Sequence, residues 1–145
     1  MTLQISEPKT EKEFERYYDL RWRILRQPWN QPKGSEKDEL DVQSIHITVY
    51  EDGTLVGIGR AHYNSPEEAQ IRYMAVENGQ QGRGIGGLVL GELENKMFEK
   101  GVNVIVLNAR ESAIPFYQKH GYITMGDAPT MFGVIHHKKM RKELR

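Results

Sequence analysis

The sequence predicts a mixed α/β (α+β) fold: a mainly antiparallel sheet with a central parallel βαβ unit and helices on both faces. Two observations carry this. Before residue 77 the apolar positions alternate in short runs separated by turn residues, the pattern of an antiparallel meander. Beyond it, a glycine-rich loop opens an amphipathic helix that leads into a nearly all-apolar run, the pattern of a parallel crossover. The chain has 145 residues, which suits a single domain, 1–145, at roughly 100–200 residues per domain.

The elements follow in order. Thr2 to Ser6 alternates and reads as a short strand. Thr10 opens a helix, with Glu13 in the capping-box position. Phe14, Tyr17, Tyr18, Arg21, Trp22 and Leu25 recur at helical spacing, and Pro28 ends the helix near Gln27. The stretch from Pro28 to Asp41 is polar and reads as a loop with a short turn near Ser35; loops of this length in small domains are often functional. Ile45, Ile47 and Val49 share one face of a strand, Asp52-Gly53 is a hairpin turn, and Leu55, Val56 and Ile58 begin the return strand. A third strand is expected from Ala69 to Val76. Ile85, Leu88, Val89, Leu93 and Met97 then line one face of a helix that stops at Lys100-Gly101. Val102 to Leu107 reads as a buried strand parallel to the one from Ala69. A helix from Ser112 to Lys119 carries Pro115 in its first turn, where no backbone donor is lost. Gly121 to Thr124 and Phe132 to Met140 are the closing strands.

Composition narrows the function. Lysines and arginines number 20 and so do aspartates and glutamates, which argues against a nucleic-acid partner. There is no cysteine, so disulfides, thiolate metal sites and cysteine nucleophiles are excluded. The five histidines show no ligand clustering, so no metal is expected. No signal core or membrane-length apolar run is present, and a cytoplasmic protein with no membrane partner is expected.

The loop Gln81-Gly82-Arg83-Gly84-Ile85-Gly86-Gly87 sits between a strand and a helix. Glycines allow close backbone approach to a phosphate, and the first helical turn presents unpaired N–H groups to it. Arg83 adds a formal charge. A P-loop needs Lys and then Ser or Thr after its last glycine, whereas Leu88-Val89 follow here. Gly82, Gly84 and Gly87 fit a dinucleotide fingerprint, but that motif wants a carboxylate ~20 residues on at the next strand end, and Asn108 stands there.

Gln81-x-x-Gly84-x-Gly86 resembles the pyrophosphate-binding motif of the GNAT superfamily of acyl-CoA-dependent N-acyltransferases. Ala113-Ile-Pro-Phe-Tyr-Gln-Lys-His-Gly-Tyr122 is similar to that family's A-x-x-F-Y-x-K-x-G-F/Y signature, and the resemblance spans about residue 44 to the C-terminus. Ser35-Glu36-x-Asp38, Leu107-Asn108-Ala109-Arg110 and His137-x-x-Met140 further resemble a bacterial subgroup of small GNAT proteins. The resemblance implies acetyl-CoA as co-substrate. Backbone groups of Met74, Ala75 and Val76 are expected along the pantetheine arm, and those of Gln81, Gly82, Arg83, Gly84, Ile85, Gly86 and Gly87 around the pyrophosphate. Asn108 and Phe116 complete the expected cofactor contacts. Tyr117 is the expected general acid toward the CoA thiolate. Two positions depart from the family: Gln70 stands where many members carry a glutamate base, and Arg110 where many carry an asparagine.

The implied chemistry is direct attack of a neutral primary amine on the thioester, with the Val76 N–H near the developing oxyanion. Candidate bases are Glu36, Asp38, Asp41, Glu77 and His137, and His137 titrates nearest neutrality. His136 should face away from His137 by strand alternation, and His46 and His62 read as ordinary strand histidines. The acidic run around Glu36, Asp38 and Asp41 implies an acceptor-binding rim favouring a cationic amine, on a small molecule or a protein; a homodimer is also expected from the family. A non-catalytic acyl-CoA sensor and a nucleotide-dependent oxidoreductase are the competing readings.

Overall fold

The computed structural model describes residues 2–145. Its strands are β1 (Leu3–Ser6), β2 (Ile45–Glu51), β3 (Thr54–Tyr63), β4 (Glu68–Val76), β5 (Val104–Arg110), β6 (Ile123–Met131) and β7 (Ile135–Glu143). They form one mixed sheet in the order β1-β2-β3-β4-β5-β7-β6. Only β4 and β5 pair in parallel, from Glu68↔Val104 to Ile71↔Leu107. Helix α1 (Glu11–Leu25) lies on one face, α2 (Ile85–Glu99) on the other, and α3 (Ile114–Lys119) follows β5.

The local chemistry explains these elements. The α1 N-terminus is a reciprocal cap: the Glu13 N–H donates to Thr10 Oγ1 at 3.1 Å and the Thr10 N–H donates to Glu13 Oε1 at 3.0 Å. After Leu25 the chain tightens into a 3-10 turn over Gln27–Trp29. Asp52 and Gly53 both have positive φ, 48° and 86°, the requirement of a type I′ hairpin.

Two faces of the sheet bury two clusters. Ile47, Val49, Ala69 and Ile71 meet Ile85, Val89, Leu93 and Met97 under α2, while Leu55, Ile58 and Ala75 meet Tyr17 and Leu20 under α1. Helix α2 sits close because β3 carries glycines beneath it. A Cβ on Gly59 would lie 2.6 Å from Val89 Cγ1 and 2.7 Å from Met74 Sδ.

The structure moves four of the expected elements' boundaries. The expected strand from Val102 begins at Val104, because Val102 closes α2 instead: its N–H donates to Met97 O at 3.0 Å, and that of Gly101 to Phe98 O at 3.1 Å. This is a Schellman stop, in which an apolar residue follows the glycine. The expected strand from Phe132 begins at Ile135, since Phe132 and Gly133 turn the chain with φ of 51° and 71°. The short strand expected at Gly121 to Thr124 is the long β6. Gly126 and Pro129 are tolerated there because β6 is an edge strand. A 3-10 turn over Glu111–Ala113 replaces the first turn expected of the helix from Ser112.

Candidate active site

Strand β4 contains the feature that creates the site. Opposite Gly59, β4 carries two residues, Tyr73 and Met74, between the pairs Ile58↔Ala75 and Arg60↔Arg72. Tyr73 sits at φ 60°, a costly conformation for an aromatic residue. The bulge reverses the side-chain alternation: Ala69 and Ile71 face α2 before it, and Met74 and Val76 face α2 after it. Just before this bulge β4 stops pairing with β5, which continues along β7 as far as Arg110↔His137. The two strands diverge around a cleft of about 560 Å³. Met74, Ala75, Val76, Gln81, Asn108, Tyr117 and His137 all line it.

The glycine loop stands at one end of this cleft. The Gln81 side chain builds the loop: its Oε1 accepts from the Gly79 N–H at 3.0 Å and its Nε2 donates to Val76 O at 3.3 Å. Gly82 and Gly84 have φ near 80°, and Gly84 is the N-cap of α2. The first α2 amide to reach a carbonyl is that of Leu88, which donates to Gly84 O at 3.1 Å. The N–H groups of Gly84, Ile85, Gly86 and Gly87 therefore have no acceptor among the described residues. Such a helix start suits a pyrophosphate. Arg83 is held by Glu51 and Gln80. Phe116 does not line the cleft; its ring packs on Gly86, where a Cβ would lie 3.3 Å from Cζ, and so sets how α3 meets the loop.

Tyr117 projects from α3 and is buried. Burial pushes its phenol up to about 12, and the Arg110 charge opposes this. It makes no hydrogen bond among the described residues, so its proton is available to a ligand. His137 lies across from it on β7. Its Nδ1 contacts Ile135 O at 3.0 Å. A carbonyl only accepts, so Nδ1 carries the proton and Nε2 keeps a free lone pair. Burial lowers the pKa of His137; the Ile135 hydrogen bond opposes this, and the charges of Arg110 and Arg72 add to the lowering. The ring is therefore neutral near pH 7. His136 is exposed, as strand alternation requires.

The acidic candidates lie elsewhere. Asp41 is buried and pairs with Arg21 and Arg60, at 3.0 Å each. Asp38 pairs with Arg60 at 2.6 Å and contacts Arg72 at 3.6 Å. Burial pushes both carboxyls up, but these arginines and backbone donors outweigh it and hold both below the ordinary value. Glu36 is buried and accepts from the Gly34 N–H at 2.8 Å. Glu77 is held bidentately by Arg23 at 2.9 and 2.8 Å. None of the four lines the cleft. Gln70 does, and its Oε1 accepts from Asn64.

Sequence reasoning missed the arginines. Arg26, Arg72 and Arg110 all line the cleft. The α1 periodicity hid Arg26, which falls just past the last turn. Among the described residues no helix is long and apolar enough to cross a membrane, and no group of histidine and carboxylate side chains is placed to hold a metal.

A splayed parallel strand pair, a free helix N-terminus at one end of the gap and an unpaired tyrosine within it define the acyl-CoA-dependent acyltransferases. Comparison with known proteins agrees. The profile of the Acetyltransferase (GNAT) family matches residues 14–122. The uncharacterised N-acetyltransferase YjcF of Bacillus subtilis (strain 168) is 30% identical over 135 residues, covering 93% of this chain and 96% of that protein. Two crystal structures share the fold. A putative N-acetyltransferase from Lactobacillus plantarum superposes with TM-score 0.86 at 17% identity over 100% of both chains. An aminoglycoside 6′-N-acetyltransferase complexed with coenzyme A superposes with TM-score 0.80 at 18% identity, over 99% of this chain and 97% of that one. The chain belongs to the GNAT acetyltransferase family, and its co-substrate is acetyl-CoA.

Proposed function

We propose that this chain, acting as one domain, moves an acetyl group from acetyl-CoA to a primary amine, with His137 as base and Tyr117 as acid. The observation that carries this is the position of Tyr117 and His137 on the walls of the β4–β5 gap, which reaches the glycine loop at Gln81, three residues before the free amides of Gly84–Gly87. The residues fit the donor: those amides suit the pyrophosphate, and the stretch Met74–Val76, paired to β3 but not to β5, suits the amide-bearing pantetheine arm. Bound CoA supplies the activated acyl group.

The chain's own groups do the rest. His137 Nε2 takes the proton of the attacking amine as the N–C bond forms. The Tyr117 hydroxyl hydrogen-bonds the sulfur as the C–S bond breaks, CoA leaves as the thiolate and takes its proton from solvent, and His137 returns its proton to solvent. With the phenol at about 12 and a free thiol at roughly 8.5, complete proton transfer is uphill. Tyr117 therefore acts mainly as a hydrogen-bond donor to the forming thiolate, and its contribution belongs at the low end of acid catalysis, ~10²-fold.

The test is thiol release from acetyl-CoA with an accepted amine. Tyr117→Phe should lower kcat by ~10²-fold while CoA affinity, measured by calorimetry, stays within about twofold. His137→Gln should remove the acidic limb of the kcat/KM profile, which in the parent protein lies below the ordinary histidine value because the native pKa is depressed. An unchanged rate in Tyr117→Phe, or an unchanged limb in His137→Gln, refutes the corresponding role.

A further inference from the structure

The charged groups that line the cleft are all arginines, Arg26, Arg72 and Arg110, with the neutral His137 beside them. No carboxylate lines the cleft: Asp41 pairs with Arg21 and Arg60, and Asp38 pairs with Arg60 at 2.6 Å while also accepting from the Tyr73 hydroxyl at 3.4 Å and contacting Arg72 at 3.6 Å. Arg26 is buried, and its partners are neutral: Nε donates to Ser35 O at 3.2 Å, Nη1 donates to Leu25 O at 3.1 Å, and the Tyr73 ring and hydroxyl lie beside it. Arg110 has no hydrogen bond or ion pair among the described residues, and Arg72 has only the long contact to Asp38.

Two of these guanidiniums, Arg26 and Arg72, meet over the Tyr73 ring, and Arg110 lines the same cleft. Arg26 lies 5.5 Å and Arg72 4.6 Å from the Tyr73 ring centre, and Arg26 also lies 5.4 Å from that of Phe132 in the β6–β7 turn. A buried guanidinium without a counter-ion is costly, and a ligand carboxylate or phosphate would repay that cost with paired hydrogen bonds.

We propose that the amine acceptor carries an anionic group, a carboxylate or a phosphate, held by Arg26 and Arg72 while its amine lies beside Arg110 and His137. This rests on the transferase reading above and replaces the cationic acceptor that the acidic run implied. Gln70, which also lines the cleft, adds no negative charge to it. Positive charge around a bound ammonium favours its neutral form, so the arginines do part of a base's work, and the acceptor's own anion offsets the repulsion.

The experiment is a panel of matched amines with acetyl-CoA, read by thiol release. One arm pairs amino acids with their amides, a second pairs phosphoethanolamine and glucosamine 6-phosphate with ethanolamine and glucosamine, and a third holds polyamines and an aminoglycoside. The expected result is a kcat/KM at least ~10-fold higher for the anionic member in one of the first two arms. Whichever arm responds identifies the anion. Arg72→Gln, exposed and tolerant of change, and Arg26→Gln, with Arg26→Lys as its charge-keeping control, should bring that ratio toward one through KM. A preference for neutral or cationic amines overturns the inference while leaving the transferase reading intact, as does a ratio that survives both glutamine variants. Tight CoA binding with no thiol release from any arm overturns the transferase reading, and the inference with it.

Discussion

At the scale of single residues, the acidic loop between α1 and β2 is tied to buried arginines of α1 and β3. Arg21 and Arg60 are wholly buried; Asp41 pairs with both, and Asp38 supplies the second negative charge at Arg60. His46 completes the network: its Nε2–H donates to Asp41 O at 2.7 Å, and its Nδ1 accepts from the Tyr17 hydroxyl at 2.7 Å. Removing one charge from a buried set leaves the others uncompensated, so Asp41→Asn should cost ~3 kcal/mol or more. The pH dependence follows from signs. Asp38 and Asp41 titrate below 3.8 in the folded chain, so their contribution is complete above that value and is lost as pH falls through the native values. Burial lowers His46 below 6.5, so it too contributes above 6.5 and is lost on acidification. Urea midpoints at pH 7.5, 5.5 and 3 should fall in that order, and the gap between parent and Asp41→Asn should narrow at pH 3. A gap under 1 kcal/mol at pH 7.5, or one unchanged at pH 3, refutes the network's role. These partners were illegible in the sequence, because a carboxylate in a polar loop looks the same whether it meets solvent or a buried arginine on another element. The elements that carry Tyr117 and His137 were legible, because helix and strand patterning are local, and both side chains line the cleft.

At the scale of elements, the capped helix α1, the Asp52-Gly53 hairpin and the glycine-loop start of α2 each depend on a few adjacent residues, and each could be read directly. The bulge in β4 could not. Nothing in Arg72-Tyr73-Met74 signals a left-handed tyrosine; it arises where β4 must both pair with β3 and leave β5. The glycines of β3 were equally silent, since their purpose lies in α2. A Cβ on Gly59 would press on Val89, Met74 and Leu93 at once, the last at 2.9 Å. Gly59→Ala should therefore cost about 1–3 kcal/mol by overpacking and lift α2 away from β4. Since α2 carries the free amides of Gly84–Gly87, CoA affinity should fall as well, severalfold by calorimetry. A variant that loses stability but binds CoA as the parent does would show that the glycine loop is held independently of the α2 seat.

Across the whole molecule, the sheet is two antiparallel halves, β1 to β4 and β5-β7-β6, joined by one short parallel seam that ends at Ile71↔Leu107. The antiparallel start and the parallel centre were legible from apolar patterning. The insertion of β7 between β5 and β6 was not, because strand order among distant segments leaves no trace in local periodicity. Under the proposed function the donor would link the halves: β4 and the glycine loop belong to one, while Asn108 and Tyr117 belong to the other or follow it. A ligand that binds only the folded chain stabilises it by RT ln(1 + [L]/Kd), about 2.7 kcal/mol at a hundredfold excess over Kd. CoA at that excess should raise the melting temperature by several degrees. Amide exchange should slow at Tyr73 to Val76 and at Gly84 to Gly87, on the gap side of the seam, more than at β1 or the outer edge β6. NADH shares the pyrophosphate but lacks the pantetheine arm that would lie along Met74–Val76, so it should shift the melting temperature little. Equal shifts with CoA and NADH, or protection confined to the glycine loop, would mean that the gap between β4 and β5 does not take the donor.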